Sequence, residues 1–244
     1  MLDLSNPIIK AAVLIIPLII AIVFHEVAHG WTARALGDST AAKMGRLTLN
    51  PIKHVDPFGT IIVPGMLMLV GGPVFGWAKP VPVIKGRLRN PRRDMMLVAA
   101  AGPGSNLVMA GIGAIVLGLL APPAMLAARD MQEVVWAFSP YGIAAEFIAA
   151  MLLMFILINV FLALFNLLPI PPFDGGHIVE GLLPSRLAAQ YAGMHSKALL
   201  IMILLIVVLP WISPSLNIVG YLVSPAVGWL NGLYMGLVWN LAGG

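Results

Sequence analysis

Residues 21–30 read AIVFHEVAHG, and the thirteen residues before them, IIKAAVLIIPLII at 8–20, are almost wholly apolar. The run is long enough to cross a bilayer, yet its far end carries His25, Glu26 and His29. Each ionisable group near a bilayer centre costs roughly 2.5–3.5 kcal/mol on insertion scales. Three such groups at H-E-x-x-H spacing therefore call for compensation, and a bound divalent metal is the natural candidate. If the helix enters the bilayer near Ala11, His25 lies about 21 Å along it, roughly 9 Å short of the far side.

Composition agrees with this setting. Hydrophobic residues make up 60% of the 244 and charged residues 10%, against about 25% charged in a soluble domain. Mean hydropathy is +0.96. The chain reads as an all-α integral membrane protein whose environment is the lipid bilayer. Residues 1–244 form one membrane-embedded domain, with a core at 8–177 and C-terminal helices within 196–239. No large soluble domain fits in this length.

The positive charges cluster. Arg34, Lys43, Arg46 and Lys53 lie in one polar stretch; Lys79, Lys85, Arg87, Arg89, Arg92 and Arg93 lie in a second. Positive-inside topology accounts for both, so nucleic-acid binding is not inferred. The N-terminus is then outside, both basic segments are cytoplasmic, and the motif faces the cytoplasmic half of the cell membrane. The apolar start runs directly into HEVAHG, so it is not expected to be a cleaved signal. The chain has no cysteine. Disulfides and thiolate ligands are excluded, and any metal must use histidine and carboxylate.

Further helices are expected at 95–120 and 141–168, with weaker ones at 196–211 and 216–239. With 8–36 this makes five crossings, or six if 58–71 spans. That segment, FGTIIVPGMLMLVG, is short, broken by Pro64–Gly65 and flanked by basic residues on both sides. It is expected to re-enter rather than cross. Residues 75–84, FGWAKPVPVI, are expected to form a short β-hairpin or edge strand near the active site. Their X-Pro steps favour extended backbone and restrict it to a sheet edge.

Helical spacing puts His25 and His29 on one face, one turn apart, where two imidazoles can chelate one zinc ion. Glu26 lies about 100° round the helix, placed to exchange a proton with metal-bound water. Zinc requires a third protein ligand. Asp174, in NLLPIPPFDGG at 166–176, is the best acidic candidate. The prolines end the preceding helix, and Gly175–Gly176 permit close backbone approach. Taken alone, this segment also fits an interfacial turn with an Asx cap.

HEVAHG at 25–30, together with Asn166-Leu-Leu-Pro169 and Asp174-Gly175, resembles the site-2 protease family of intramembrane zinc metalloproteases. GRLTLNP at 45–51 and AGPGSN at 101–106 add to the likeness, which runs from about residue 20 to 177. The resemblance implies that His25, His29 and Asp174 are the ligands of one Zn²⁺ per chain and that Glu26 is the catalytic carboxylate. The implied substrate is a transmembrane protein, cut within or next to its membrane segment. The chain departs from better-known branches: no PDZ-sized insertion lies between the second and third crossings, and no regulatory domain follows the core.

Asn166, on the third helix, is a candidate to donate to the oxyanion of the attacked carbonyl. Interhelical hydrogen bonding is its structural alternative, and the same choice applies to Asn159. Asn106 is a candidate to line the substrate cavity, or simply to pack helices. Lys79, Val81 and Val83 are candidates to hold an unwound substrate by main-chain pairing. His177 is a candidate to support the metal ligands, and His54 reads as interfacial. A competing function uses the same His, Glu and Asp cluster as the transit site of a membrane metal or proton transporter. Carriers often show inverted repeats, and no such symmetry is visible. No feature of the sequence sets an oligomeric state.

Overall fold

The computed structural model describes residues 2–3, 6–69 and 77–243, the side chains of 61, 64, 67, 68, 195 and 199 excepted. Four helices are long and apolar enough to cross a membrane: α1 (Pro7–Ala35), α2 (Pro91–Leu120), α3 (Ile143–Asn166) and, after a short helix α4 (Asp174–Leu182), α5 (Ile218–Gly243).

Local sequence sets the ends of these helices. Asn6 caps α1 by accepting the Ile8 N–H at 2.9 Å, with Pro7 at the first helical position. Gly37 stops it with φ +115°, and the Asp38 N–H returns to the Ala33 carbonyl at 2.9 Å. This is a Schellman closure, which requires a left-handed residue that glycine adopts freely. α2 opens on Pro91, and Asp94 accepts the Asn90 N–H at 2.8 Å. α3 stops shortly before Pro169, Pro171 and Pro172, which cannot extend it.

The chain divides into two compact units. One comprises Met1–Ala21, Asn106–Leu162 and Pro225–Gly244. Its core is Ala110, Ala114 and Leu117 on α2, Ala149, Leu153 and Ile156 on α3, and Val238 on α5. Small residues let these helices approach: a Cβ on Gly118 would meet Leu241 Cβ at 2.8 Å. The second unit comprises Ile22–Ser105 and Ala163–Ser224. There Ala33, Leu88 and Val98 form a buried cluster, with Leu36, Val83 and Met95 packed against it. Ile8, Leu14, Ile15 and Ile19 on α1 stay exposed, as expected of an apolar face whose solvent is lipid.

Two expectations are corrected, the crossing at 196–211 and the strand at 75–84. The helix expected at 196–211 is too short to cross. Its apolar part, Leu200–Ile212, reaches about 20 Å against a core of about 30 Å, so four candidate spans replace five or six. Residues 57–69 are helical, a wide turn (Pro57–Ile62) continuing into Val63–Leu69, and are likewise too short to span; residues 70 and 71 lie outside the described residues. Finally, no strand exists among the described residues. Residues 77–84 are extended but pair with no strand; residues 75 and 76 lie outside the description. Pro80 and Pro82 have no N–H to give a ladder. The Trp77 and Lys79 N–H groups donate to the carbonyls of Gly59 and His54, and the Val81 and Ile84 N–H groups to the carboxylates of Glu26 and Asp38.

Candidate active site

The second unit holds the motif residues. His25 and His29 are buried one turn apart on α1, 7% and 9% exposed. The His29 Nδ1 lies 2.7 Å from the Val98 carbonyl of α2. A carbonyl only accepts, so Nδ1 carries the proton and Nε2 is left with its lone pair. The two Nε2 atoms are 3.0 Å apart.

Asp174 reaches this pair from the start of α4. Its Oδ2 lies 3.2 Å from His25 Nε2 and its Oδ1 3.3 Å from His29 Nε2. Gly175 makes the approach possible, since a Cβ there would lie 2.3 Å from the carbonyl oxygens of both Leu167 and Leu168. An aspartate of ordinary acidity is a carboxylate at neutral pH, the form that ligates.

Three observations fit this triplet to a metal. The donor set is two imidazoles and one carboxylate, the ligand types zinc takes without cysteine. A tetrahedral zinc with bonds of about 2.0–2.1 Å holds its ligand atoms about 3.3 Å apart; here one ligand atom from each of the three residues lies within 4.8 Å of the others. Asp174 Oδ2 is also buried with no hydrogen-bond donor aimed at it, a costly arrangement unless a cation completes it. Space beside the imidazoles is kept open by Gly102 of α2, where a Cβ would stand 2.4 Å from His29 Nε2 and 2.6 Å from His25 Cε1.

Glu26 stands outside the triplet, half-buried, and its Oε2 accepts the Val81 N–H at 2.7 Å. The structure thus joins Glu26 to the extended segment, a contact between residues 55 positions apart. Lys79 is exposed, Val81 is buried, and Val83 packs on the Ala33 cluster. Asn166 is the last residue of α3 and half-buried. Asn106 belongs to the first unit, fully buried; its amide donates to Asn159 Oδ1 at 2.8 Å and to the Ala21 carbonyl at 3.2 Å. His177 faces Glu180 at 3.6 Å, and Glu180 also takes Lys85 Nζ at 2.5 Å. His54 is buried, with Nε2 on the Thr48 carbonyl at 2.9 Å.

Gly30 and Gly102 permit close approaches at the site and were not singled out in the sequence. A Cβ on Gly30 would meet Leu47 Cδ2 at 2.3 Å and Val81 Cγ1 at 2.9 Å. The available signal was glycine inside an apolar helical pattern, which marks close approach.

Two buried histidines on an apolar helix, met by the Asp174 carboxylate of a second helix and with Glu26 next to His25, are the arrangement of a membrane-embedded metallopeptidase. The sequence pattern of Peptidase family M50 matches residues 13–209, and the chain belongs to this family, that of the site-2 proteases. The chain is 43% identical over 194 residues to YwhC of Bacillus subtilis, named as a proposed zinc metalloprotease; the match covers 80% of each chain. It is 28% identical over 199 residues to Rip2 of Mycolicibacterium smegmatis and 30% identical over the same length to Rip2 of Mycobacterium tuberculosis, both named in the same way. Those matches cover 82% of this chain and 66% of each relative. No solved structure gives a significant match.

Proposed function

We propose that the protein is an intramembrane zinc metalloprotease in which His25, His29 and Asp174 hold the ion and Glu26 carries the proton. The carrying observation is the meeting of two imidazole Nε2 atoms, 3.0 Å apart, with the two oxygens of the Asp174 carboxylate, at 3.2 Å from His25 and 3.3 Å from His29. Zinc, when bound there, polarises the scissile carbonyl and lowers the pKa of its water towards about 7. Glu26 takes the proton of the attacking water and returns it to the leaving amine. Its Oε2 is held by Val81, so Oε1 is the oxygen that moves the proton. The Asn166 amide donates to the developing oxyanion.

The substrate is a membrane protein, unwound beside the extended segment at 77–84. Lys79, Val81 and Val83 form the wall there, and the segment supplies main-chain acceptors. Pro57–Leu69 enters the bilayer without crossing it. The basic segments are cytoplasmic, which places the centre in the cytoplasmic half of the plasma membrane. The chain acts as a single membrane-embedded domain. The transporter reading finds no support in the comparisons.

Purified protein tests this assignment with a membrane-segment peptide and a metal assay. Glu26→Gln is expected to retain zinc and abolish cleavage, and Asp174→Ala to lose zinc. Full cleavage by Glu26→Gln, or full zinc occupancy in Asp174→Ala, rejects it.

A further inference from the structure

We infer that Arg46 is a positioning residue for the proton-carrying carboxylate, acting through the extended segment at 77–84; the inference rests on the protease reading. Arg46 is only 7% exposed. No carboxylate pairs with it among the described residues, and its Nε is buried with no hydrogen-bond partner. An incompletely satisfied buried guanidinium is costly, so fold stability alone is a poor reason for it.

Its donors go to backbone. Nη2 lies 2.9 Å from the Lys79 carbonyl and 3.3 Å from the Pro80 carbonyl. The next residue, Val81, gives its N–H to Glu26 Oε2 at 2.7 Å, the one hydrogen bond of Glu26 among the described residues. Pro80 and Pro82 on either side have no N–H and cannot anchor the segment by their own donors. Arg46 thus fixes the two carbonyls immediately before the amide that fixes Glu26. Gly30, one turn beyond Glu26, lets the segment lie against α1, because a Cβ there would come within 2.9 Å of Val81 Cγ1. Arg46 touches no ligand atom, and its effect on chemistry runs entirely through Val81.

The test uses zinc-loaded full-length protein, with kcat, KM, zinc content and amide exchange at Val81 read in ¹⁵N-valine-labelled samples. Arg46→Ala is expected to lower kcat about 100-fold, the scale of a misplaced catalytic group. KM should stay within about threefold, zinc content should be unchanged, and Val81 exchange should accelerate. Arg46→Lys, which keeps one donor, should recover part of both kcat and protection. Gly30→Ala, which displaces the segment from the other side, should reproduce the loss. If Arg46→Ala does not fold, the lysine and Gly30 variants carry the same readouts. A kcat per folded, zinc-loaded molecule within threefold of the parent, or unchanged Val81 exchange, overturns the inference. Glu26→Gln is measured in parallel: an active Glu26→Gln protein sinks the protease assignment, whereas an inactive one beside a normal Arg46→Ala protein sinks only the role of Arg46.

Discussion

Gly102 and His29 are so close that a methyl group on the glycine would lie 2.4 Å from the imidazole Nε2. The absent side chain keeps the metal-facing nitrogen clear. Gly102→Ala is therefore expected to weaken zinc binding by 10- to 100-fold, the usual scale for disturbing a ligand's support. Competition with a chelator of known affinity measures this. Unchanged zinc affinity would show that the helix yields without moving His29.

Gly175 acts on Asp174, the proposed third ligand. Its Cα sits under the carbonyls of Leu167 and Leu168, each 2.3 Å from where a Cβ would be. Backbone rather than a flexible side chain is in the way, so the turn must open. Gly175→Ala is expected to cost about 1–3 kcal/mol, as overpacking does, and to withdraw Asp174 from the imidazoles. Thermal unfolding and zinc content together check this. A destabilised protein with full zinc would separate the turn from the metal centre.

How much of this was legible beforehand varied with the physics involved. His25, His29 and Glu26 could be read because helical periodicity fixes their mutual placement within a few residues. Asp174 was legible because the prolines after α3 and the two glycines leave little choice of path. The strand at 75–84 was misjudged because X-Pro steps predict extended backbone, whereas a strand also needs a partner. Here the partners of Val81 and Ile84 are side chains, Glu26 and Asp38, which are distant in sequence. The crossing expected at 196–211 failed on length, since apolar composition alone does not distinguish a 30 Å helix from a shorter one. Gly30 and Gly102 carried only the general signal of glycine inside an apolar helix, which does not say what approaches; the contacts of Arg46 are to carbonyls distant in sequence, and no local pattern reports those.

Asn106 and Asn159 form a buried pair in the first unit, joined at 2.8 Å, and Asn159 also donates to the Phe155 carbonyl at 2.8 Å. Asn159→Leu removes the acceptor of the Asn106 amide and leaves a polar group in an apolar core. Interhelical hydrogen bonds in membranes contribute roughly 0.6–2 kcal/mol, so a loss on that scale is expected in detergent unfolding experiments. Turnover per folded molecule should stay near the parent value, in contrast to Asn166→Leu, which should lower kcat. Equal kcat losses in both variants would contradict this division of roles.

Asp38 gives the fold a dependence on pH that is separate from the metal. It lies just beyond α1, 1% exposed. Its Oδ1 accepts the Thr40 hydroxyl and N–H, and its Oδ2 accepts the Ile84 N–H at 2.6 Å. Arg87 lies close by, with Nη1 on the Thr40 hydroxyl at 2.6 Å. Burial alone would push the Asp38 carboxyl up; the Thr40 and Ile84 donors and the Arg87 charge outweigh it and hold it below the ordinary carboxylate value. The native state therefore binds this proton less readily than the unfolded chain. The stability Asp38 supplies is fully present above the ordinary value of about 3.9 and is lost as pH falls through that value towards the depressed one. Asp38→Asn should lower the melting temperature at pH 7 and narrow its gap from the parent as the pH drops below 4. A gap that stays constant across that range would show that the carboxylate's charge does not hold the segment at 77–84 to the end of α1.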